Sequence, residues 1–218
     1  MYRPSDGKPH PELVEGRGVK RGDWMNKERL AAFTDGVVAV IITIMVLELK
    51  PPHETTLAAL RGEAAIFLSY VLSFIYVGIY WANHHHFFTL VKRVNGGILW
   101  ANINLLFWIS LVPFATTWMG ENPTAPWPVA VYGVALFMPA LAWLVMQTAI
   151  IRDQGPDSPL KAALGEDWKG KLSPFLYAAG IGSAFINAWL ADAFYVVVAA
   201  LWLTPDPRVE KVKGDQAA

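Results

Sequence analysis

Arg29, Thr34 and Asp35 stand at the head of a run, Gly36 to Leu47, that carries no charge. A guanidinium, a hydroxyl and a carboxylate in that place can pair with polar groups of another element. A carboxylate there is costly unless paired or wet, so these groups are expected to hydrogen-bond into a network with a neighbouring span. A second polar group, Trp81, Asn83, His84, His85 and His86, closes another apolar run. Asn, His and Trp can all donate to a carboxylate, so this group supplies candidate partners for Asp35.

The three adjacent His invite a metal reading, which the geometry opposes. On a helix, successive side chains point about 100° apart, so three in a row cannot converge on one ion. The i, i+4 spacing of a helical zinc site is missing, and the chain has no Cys. Packing and hydrogen bonding are the expected roles for one or two of these rings. A pH-sensitive gate would suit a group that titrates near neutrality, but no other residue supports it. There is no Ser/His/Asp arrangement, Walker loop or dinucleotide fingerprint, so an enzyme is not expected. No cofactor is expected either. A net charge of zero gives no case for nucleic-acid binding.

The elements that must position these residues are membrane spans. Of the 218 residues, 54% are hydrophobic and only 17% charged, and the charges fall in gaps between long apolar stretches. Leu30 to Leu49, between Arg29 and Lys50, is long enough for one hydrocarbon thickness of roughly 30 Å. Pro51 and Pro52 stop it. Further spans are expected at Ala64–Trp81, continuing as helix to Phe88, at Ile98–Met119 with a kink at Pro113, and at Trp127–Ile151 around Pro139. The last two are Leu172–Leu190 and a short Ala193–Leu203, which ends at the Pro205-Asp206-Pro207 turn. The expected fold is therefore all-α, with six transmembrane helices. Residues 1–24 read as a disordered tail, 25–206 as the transmembrane domain and 207–218 as a second tail. The helix start after Met25 raises the hypothesis that translation begins there.

Loop charge sets the orientation. Six spans put the N-terminus, the 89–97 loop, the 152–171 loop and the C-terminus on one side, and those segments hold 16 of the 18 Lys and Arg. Both termini are thus expected in the cytoplasm. Asp35 and the His cluster then share the cytoplasmic end of the membrane. Glu48 and Asp192 fall at the outer end, where solvation is expected. Asn102, Asn104, Ser110, Thr116, Thr117, Gln147, Ser183 and Asn187 lie inside spans, where they can hydrogen-bond between helices.

At 100° per residue, Arg29, Phe33, Gly36, Val40, Thr43 and Leu47 share one face of the first helix within an arc of about 80°. Two readings stay open for this stripe. It is a packing face inside one chain, or it faces the axis of a symmetric oligomer and makes a narrow apolar tube with one polar ring at Thr43. Asp35 points roughly 100° away from it, toward a neighbouring span.

The run R-L-A-A-F-T-D-G, the W-A-N-H-H-H-F-F stretch, the N-I-N-L-L-F…P-F segment and the closing L-W-L-x-P together resemble the potassium channels of the transmembrane protein 175 type. Their hallmark is R-x-x-x-F-S-D at the start of the first helix. The resemblance covers about Lys27 to Val209. It implies a prokaryotic arrangement of six helices per subunit, a homotetramer in the inner membrane, and K⁺ as the permeant ion. The first helix is implied to line the pore, with the tight apolar ring at Val40 and further lining at Thr43, Ile44 and Leu47. Arg29, Phe33, Thr34 and Asp35 are implied to form a structural network with Trp81, Asn83, and His84 or His85. Two departures matter. Thr34 replaces Ser and keeps the hydroxyl. Val40 replaces Ile or Leu, and a methylene lost from each of four subunits loosens the ring. The rival readings are a secondary transporter, which would want inverted repeats that the sequence lacks, a membrane redox or metal protein, and a non-conducting structural protein.

Overall fold

The computed structural model describes residues 26–155, 158–165 and 167–203. The expected tails, the start at Met25 and the Pro205-Asp206-Pro207 turn lie outside these residues. The described residues fold into helices α1 (Lys27–Leu47), α2 (Leu57–Gly62), α3 (Ala64–Thr89), α4 (Gly96–Ser110), α5 (Val112–Glu121), α6 (Pro126–Gln154), α7 (Pro159–Leu164), α8 (Trp168–Ser183) and α9 (Ala188–Leu203).

Each boundary has a local cause. The Asn26 side chain accepts from the Glu28 amide and caps α1. The Asn95 side chain does the same for α4 through the Ile98 amide. Pro113 cannot donate to the preceding turn, so the expected third span divides into α4 and α5 around Leu111, with Pro113 in the first turn of α5. Pro139 sits inside α6 without ending it. Among the described residues, four units are long and apolar enough to cross a membrane: Lys27–Leu47, Ala64–Thr89, the divided Gly96–Glu121 and Pro126–Gln154.

The C-terminal pair differs from the expected boundaries. The fifth helix ends at Ser183 and the sixth begins at Ala188, so α9 has 16 residues and not eleven. Asn187 makes the break, because its side chain accepts from the amides of Trp189 and Leu190 and caps α9. Asp192 is then in the second turn of α9, and its Oδ1 is buried without a hydrogen-bond partner. The expectation of a solvated Asp192 is therefore wrong for that oxygen. The short α2 and α7 lie in stretches that the sequence reads only as loops. Leu160 and Ala163 anchor α7, being buried against the bundle.

The core has two parts. One joins α1, α3, α4, the second half of α6 and α7 around Leu30, Ile41, Val77, Ile98, Leu105 and Met146. The other joins α5, the first half of α6, α8 and α9 around Tyr132 and Tyr195. Tyr195 passes close to Gly133 and Gly180, and a Cβ at either glycine would collide with its ring or hydroxyl.

Candidate functional site

The first helix is divided lengthwise. Leu30, Thr34, Val38, Ile41 and Met45 recur at helical spacing and are buried against the rest of the chain. The opposite face is open. Val40 is 55% exposed, Ile44 42% and Leu47 78%. Phe33, Gly36, Thr43 and Arg29 are exposed on the same side. The stripe is therefore not a packing face inside one chain, and that reading is excluded. The Thr43 hydroxyl donates to the Val40 carbonyl at 2.8 Å. Its hydrogen is thus engaged within the helix, and its oxygen lone pairs are left as the polar feature of the stripe.

Behind this face, polar residues tie α1 to its neighbours. His84 Nε2 lies 2.8 Å from Asn102 Oδ1. The Asn102 amide nitrogen donates to Thr34 Oγ1 at 2.9 Å. Thr34, His84 and Asn102 are all buried, so this is a closed relay from α3 through α4 to α1. The Phe88 ring stacks on His84 with centroids 4.1 Å apart and fixes its plane. A separate bond runs from Trp81 Nε1 to Asp35 Oδ1 at 2.9 Å, on the exposed side.

The expected network is thus two clusters, and it does not take in every expected member. His85 meets Trp81 only ring to ring, at 6.3 Å between centroids. Asn83 faces away, into a small cavity shared with Tyr80 and Trp143. Phe33 lines an open groove, and Arg29 is exposed at the start of α1. Asn102 is the member that sequence reasoning leaves out. It stands there as one of eight polar residues inside spans and as the first residue of the N-I-N-L-L-F segment, with no role assigned, because its partners are 18 and 68 residues away along the chain. Among the described residues, no group of three or more His, Cys, Asp or Glu comes together to hold a metal.

An all-helical membrane protein whose first span turns one apolar face outward, and is braced from behind by a buried polar relay, has the form of a channel or carrier subunit. The comparisons narrow this class. Residues 29–113 match the family described as endosomal/lysosomal potassium channel TMEM175. A potassium channel of Chryseobacterium sp. (strain P1-3) is 52% identical over 187 residues, which span 86% of this chain and 97% of that protein. A potassium channel of Streptomyces collinus is 30% identical over 78% of this chain and 88% of its own length. The crystal structure of a lysosomal potassium-selective channel TMEM175 homolog from Chamaesiphon minutus superposes with a TM-score of 0.72 at 27% identity, over 81% of this chain and 96% of that one. The chain belongs to the TMEM175 potassium channel family. It is a multi-pass membrane protein of an ion-channel family and not an enzyme.

Proposed function

We infer that this chain is one subunit of a homotetramer that conducts K⁺ passively across a bacterial inner membrane, along an axis lined by α1. The observation that carries the reading is the exposure of the Val40–Thr43–Leu47 stripe, when the opposite face of the same helix is buried. In the tetramer, Val40 and Leu47 are apolar constrictions, Thr43 is the polar ring between them, and Ile44 lies at the edge of the lining. Apolar constrictions of this kind gate by dewetting. The engaged Thr43 hydroxyl offers a cation only its oxygen, the polarity that a partly dehydrated K⁺ needs. Opening requires a small rotation or dilation of the four α1 helices.

Six crossings complete the topology. The helices α8 and α9 have 16 residues each and reach about 24 Å, close to the hydrocarbon thickness. With six crossings both termini are cytoplasmic, in agreement with the Lys and Arg distribution. The buried relay from Thr34 to His84 then stands near the cytoplasmic end of the pore helix. Its role is to hold the rotation of α1 so that Val40 stays turned to the axis.

The test is K⁺ efflux from liposomes that contain the purified protein, with a protonophore to carry the balancing charge. The expected result is efflux above that of empty liposomes, faster for K⁺ than for Na⁺. No efflux would leave a structural membrane protein. Efflux that saturates and needs a co-ion would make the protein a carrier.

A further inference from the structure

Two cations stand apart from the rest. Of the 18 Lys and Arg, 16 lie in the segments assigned to the cytoplasmic side, and the two that remain are Lys50 and Arg61. Both line one groove of about 630 Å³, formed by residues 49–52, α2 and the start of α3. Its walls are otherwise largely apolar, and Leu57, Leu60 and Phe67 are each more than half exposed there. Leu57, Leu60 and Arg61 stand at i, i+3 and i+4, so the guanidinium shares one face of α2 with the two leucines. Among the described residues, neither Lys50 nor Arg61 has a salt-bridge partner. The six residues of α2 reach only about 9 Å and join the end of α1 to the start of α3. This helix therefore lies at the membrane surface, at the depth of lipid headgroups.

We propose that this groove holds one phosphatidylethanolamine of the outer leaflet, with an acyl chain along Leu57, Leu60 and Phe67 and the phosphate between Lys50 and Arg61. The choice of leaflet rests on the six-crossing reading above, whereas the groove and its charges do not. Lys50 stands three residues beyond Leu47. The bound lipid thus ties the outer end of α1 to the corner between α2 and α3.

Charge selects the occupant. A purely apolar ligand would cover the leucines and leave both cations unused. A phosphodiester supplies the acceptor oxygens that an ammonium and a guanidinium bind best. The rest of the headgroup follows from the adjoining hollow, which shares Lys50, Pro51, Pro52, Glu63 and Ile66 with the groove. Glu48, Glu54, Glu63 and Glu121 line that hollow, with His53 beside them. A net-negative headgroup such as phosphatidylglycerol gains nothing from these carboxylates. A choline brings charge without an N–H to donate. The ethanolamine ammonium brings the charge and three donors.

The test mixes the purified full-length protein in detergent with phosphatidylethanolamine or phosphatidylglycerol of the same acyl chains, and native mass spectrometry counts the lipid retained per chain. The expected result is one phosphatidylethanolamine per chain, retained in preference to phosphatidylglycerol. Retention is expected to fall about tenfold in the double variant Lys50→Gln, Arg61→Gln. Lys92→Gln, at an exposed cation on the opposite side of the membrane, is expected to leave it unchanged. Glu54→Gln is expected to narrow the preference between the two lipids. Equal retention of both lipids by the unaltered chain overturns the headgroup assignment. Equal retention of phosphatidylethanolamine by the double variant puts the lipid elsewhere and overturns the site. An oligomer that retains no lipid and dissociates in Leu57→Gln, Leu60→Gln has a second copy in the groove, which also overturns it. The leaflet is read separately from Thr55→Cys, exposed beside α2 in a chain with no other thiol. Labelling by an impermeant maleimide from outside intact spheroplasts is expected. Labelling only after lysis overturns the leaflet together with the six-crossing orientation, and retention in detergent still decides the lipid site.

Discussion

Asn102 holds both His84 and Thr34, with one bond of 2.8 Å to the imidazole and one of 2.9 Å to the hydroxyl. The direction of each bond is set by chemistry. The Asn102 oxygen can only accept, so His84 donates through Nε2, and the Asn102 nitrogen donates to Thr34. Three helices are fixed by one amide. The pore helix of the proposed channel is therefore anchored through a residue outside the family hallmark.

Asn102→Leu keeps the volume of the side chain but strands the Thr34 hydroxyl and the His84 nitrogen in a buried site. Each unsatisfied group costs about 1–3 kcal/mol. The unfolding midpoint in detergent, followed by the fluorescence of the ten Trp, is expected to fall by several degrees. Thr34→Ser retains the hydroxyl and is expected to stay near wild type. An unchanged midpoint for Asn102→Leu would mean that the relay contributes nothing.

Trp81→Phe removes the bond to Asp35 and little apolar surface. A hydrogen bond to a charged group contributes about 1.5–3 kcal/mol where water is excluded, but Trp81 is 46% exposed in the single chain. Trp81→Phe is therefore expected to lower the midpoint of the dissociated chain by less than Asn102→Leu does. The two variants measured side by side in a dissociating detergent check the ranking, and the reverse order would contradict it.

Gly133→Ala puts a methyl group where the Tyr195 hydroxyl and Ile181 already stand. Overpacking of this kind costs about 1–3 kcal/mol. Tyr195→Phe in the same chain removes the nearest obstacle, the hydroxyl, and leaves the ring edge and Ile181, so the double variant is expected to recover part of the loss. The coupling is read from a double-mutant cycle on unfolding midpoints. Strictly additive losses would place Tyr195 elsewhere.

The spans of the N-terminal half are legible in the sequence, because charge ends them: Arg29 and Lys50 bracket the first, and Pro51 stops it. The α8–α9 break is not legible. Asn187 reads as one polar residue in an apolar stretch, and its capping bonds to Trp189 and Leu190 exist only once the chain has turned. The site divides in the same way. That Val40, Thr43 and Leu47 share one face of α1 follows from helical period, but the exposure of that face does not. Chemistry and membrane depth put the partner of Asp35 in the polar group at 81–86 without choosing Trp81. The choice of His84 over His85 does not follow from either, since both adjoin the same run. Phe88 stacking and the position of Asn102 decide it, and both depend on how α3 and α4 pack.

Val40 stands on the outward face of α1, one turn before Thr43, whose hydroxyl donates to the Val40 carbonyl. The proposed pathway makes width and polarity at this level separable. Val40→Asn replaces an apolar wall with an amide of similar size, which allows water to stay in the constriction. K⁺ flux in the liposome assay is then expected to rise and its preference over Na⁺ to fall. Val40→Leu adds a methylene to every subunit and is expected to lower the flux. Thr43→Val keeps the side-chain shape but removes the oxygen proposed to contact the ion, so preference for K⁺ should fall with little change in width. Currents from all three variants, recorded in lipid bilayers at matched protein density, distinguish these effects. Wild-type currents from both Val40 variants would mean that Val40 does not line the path.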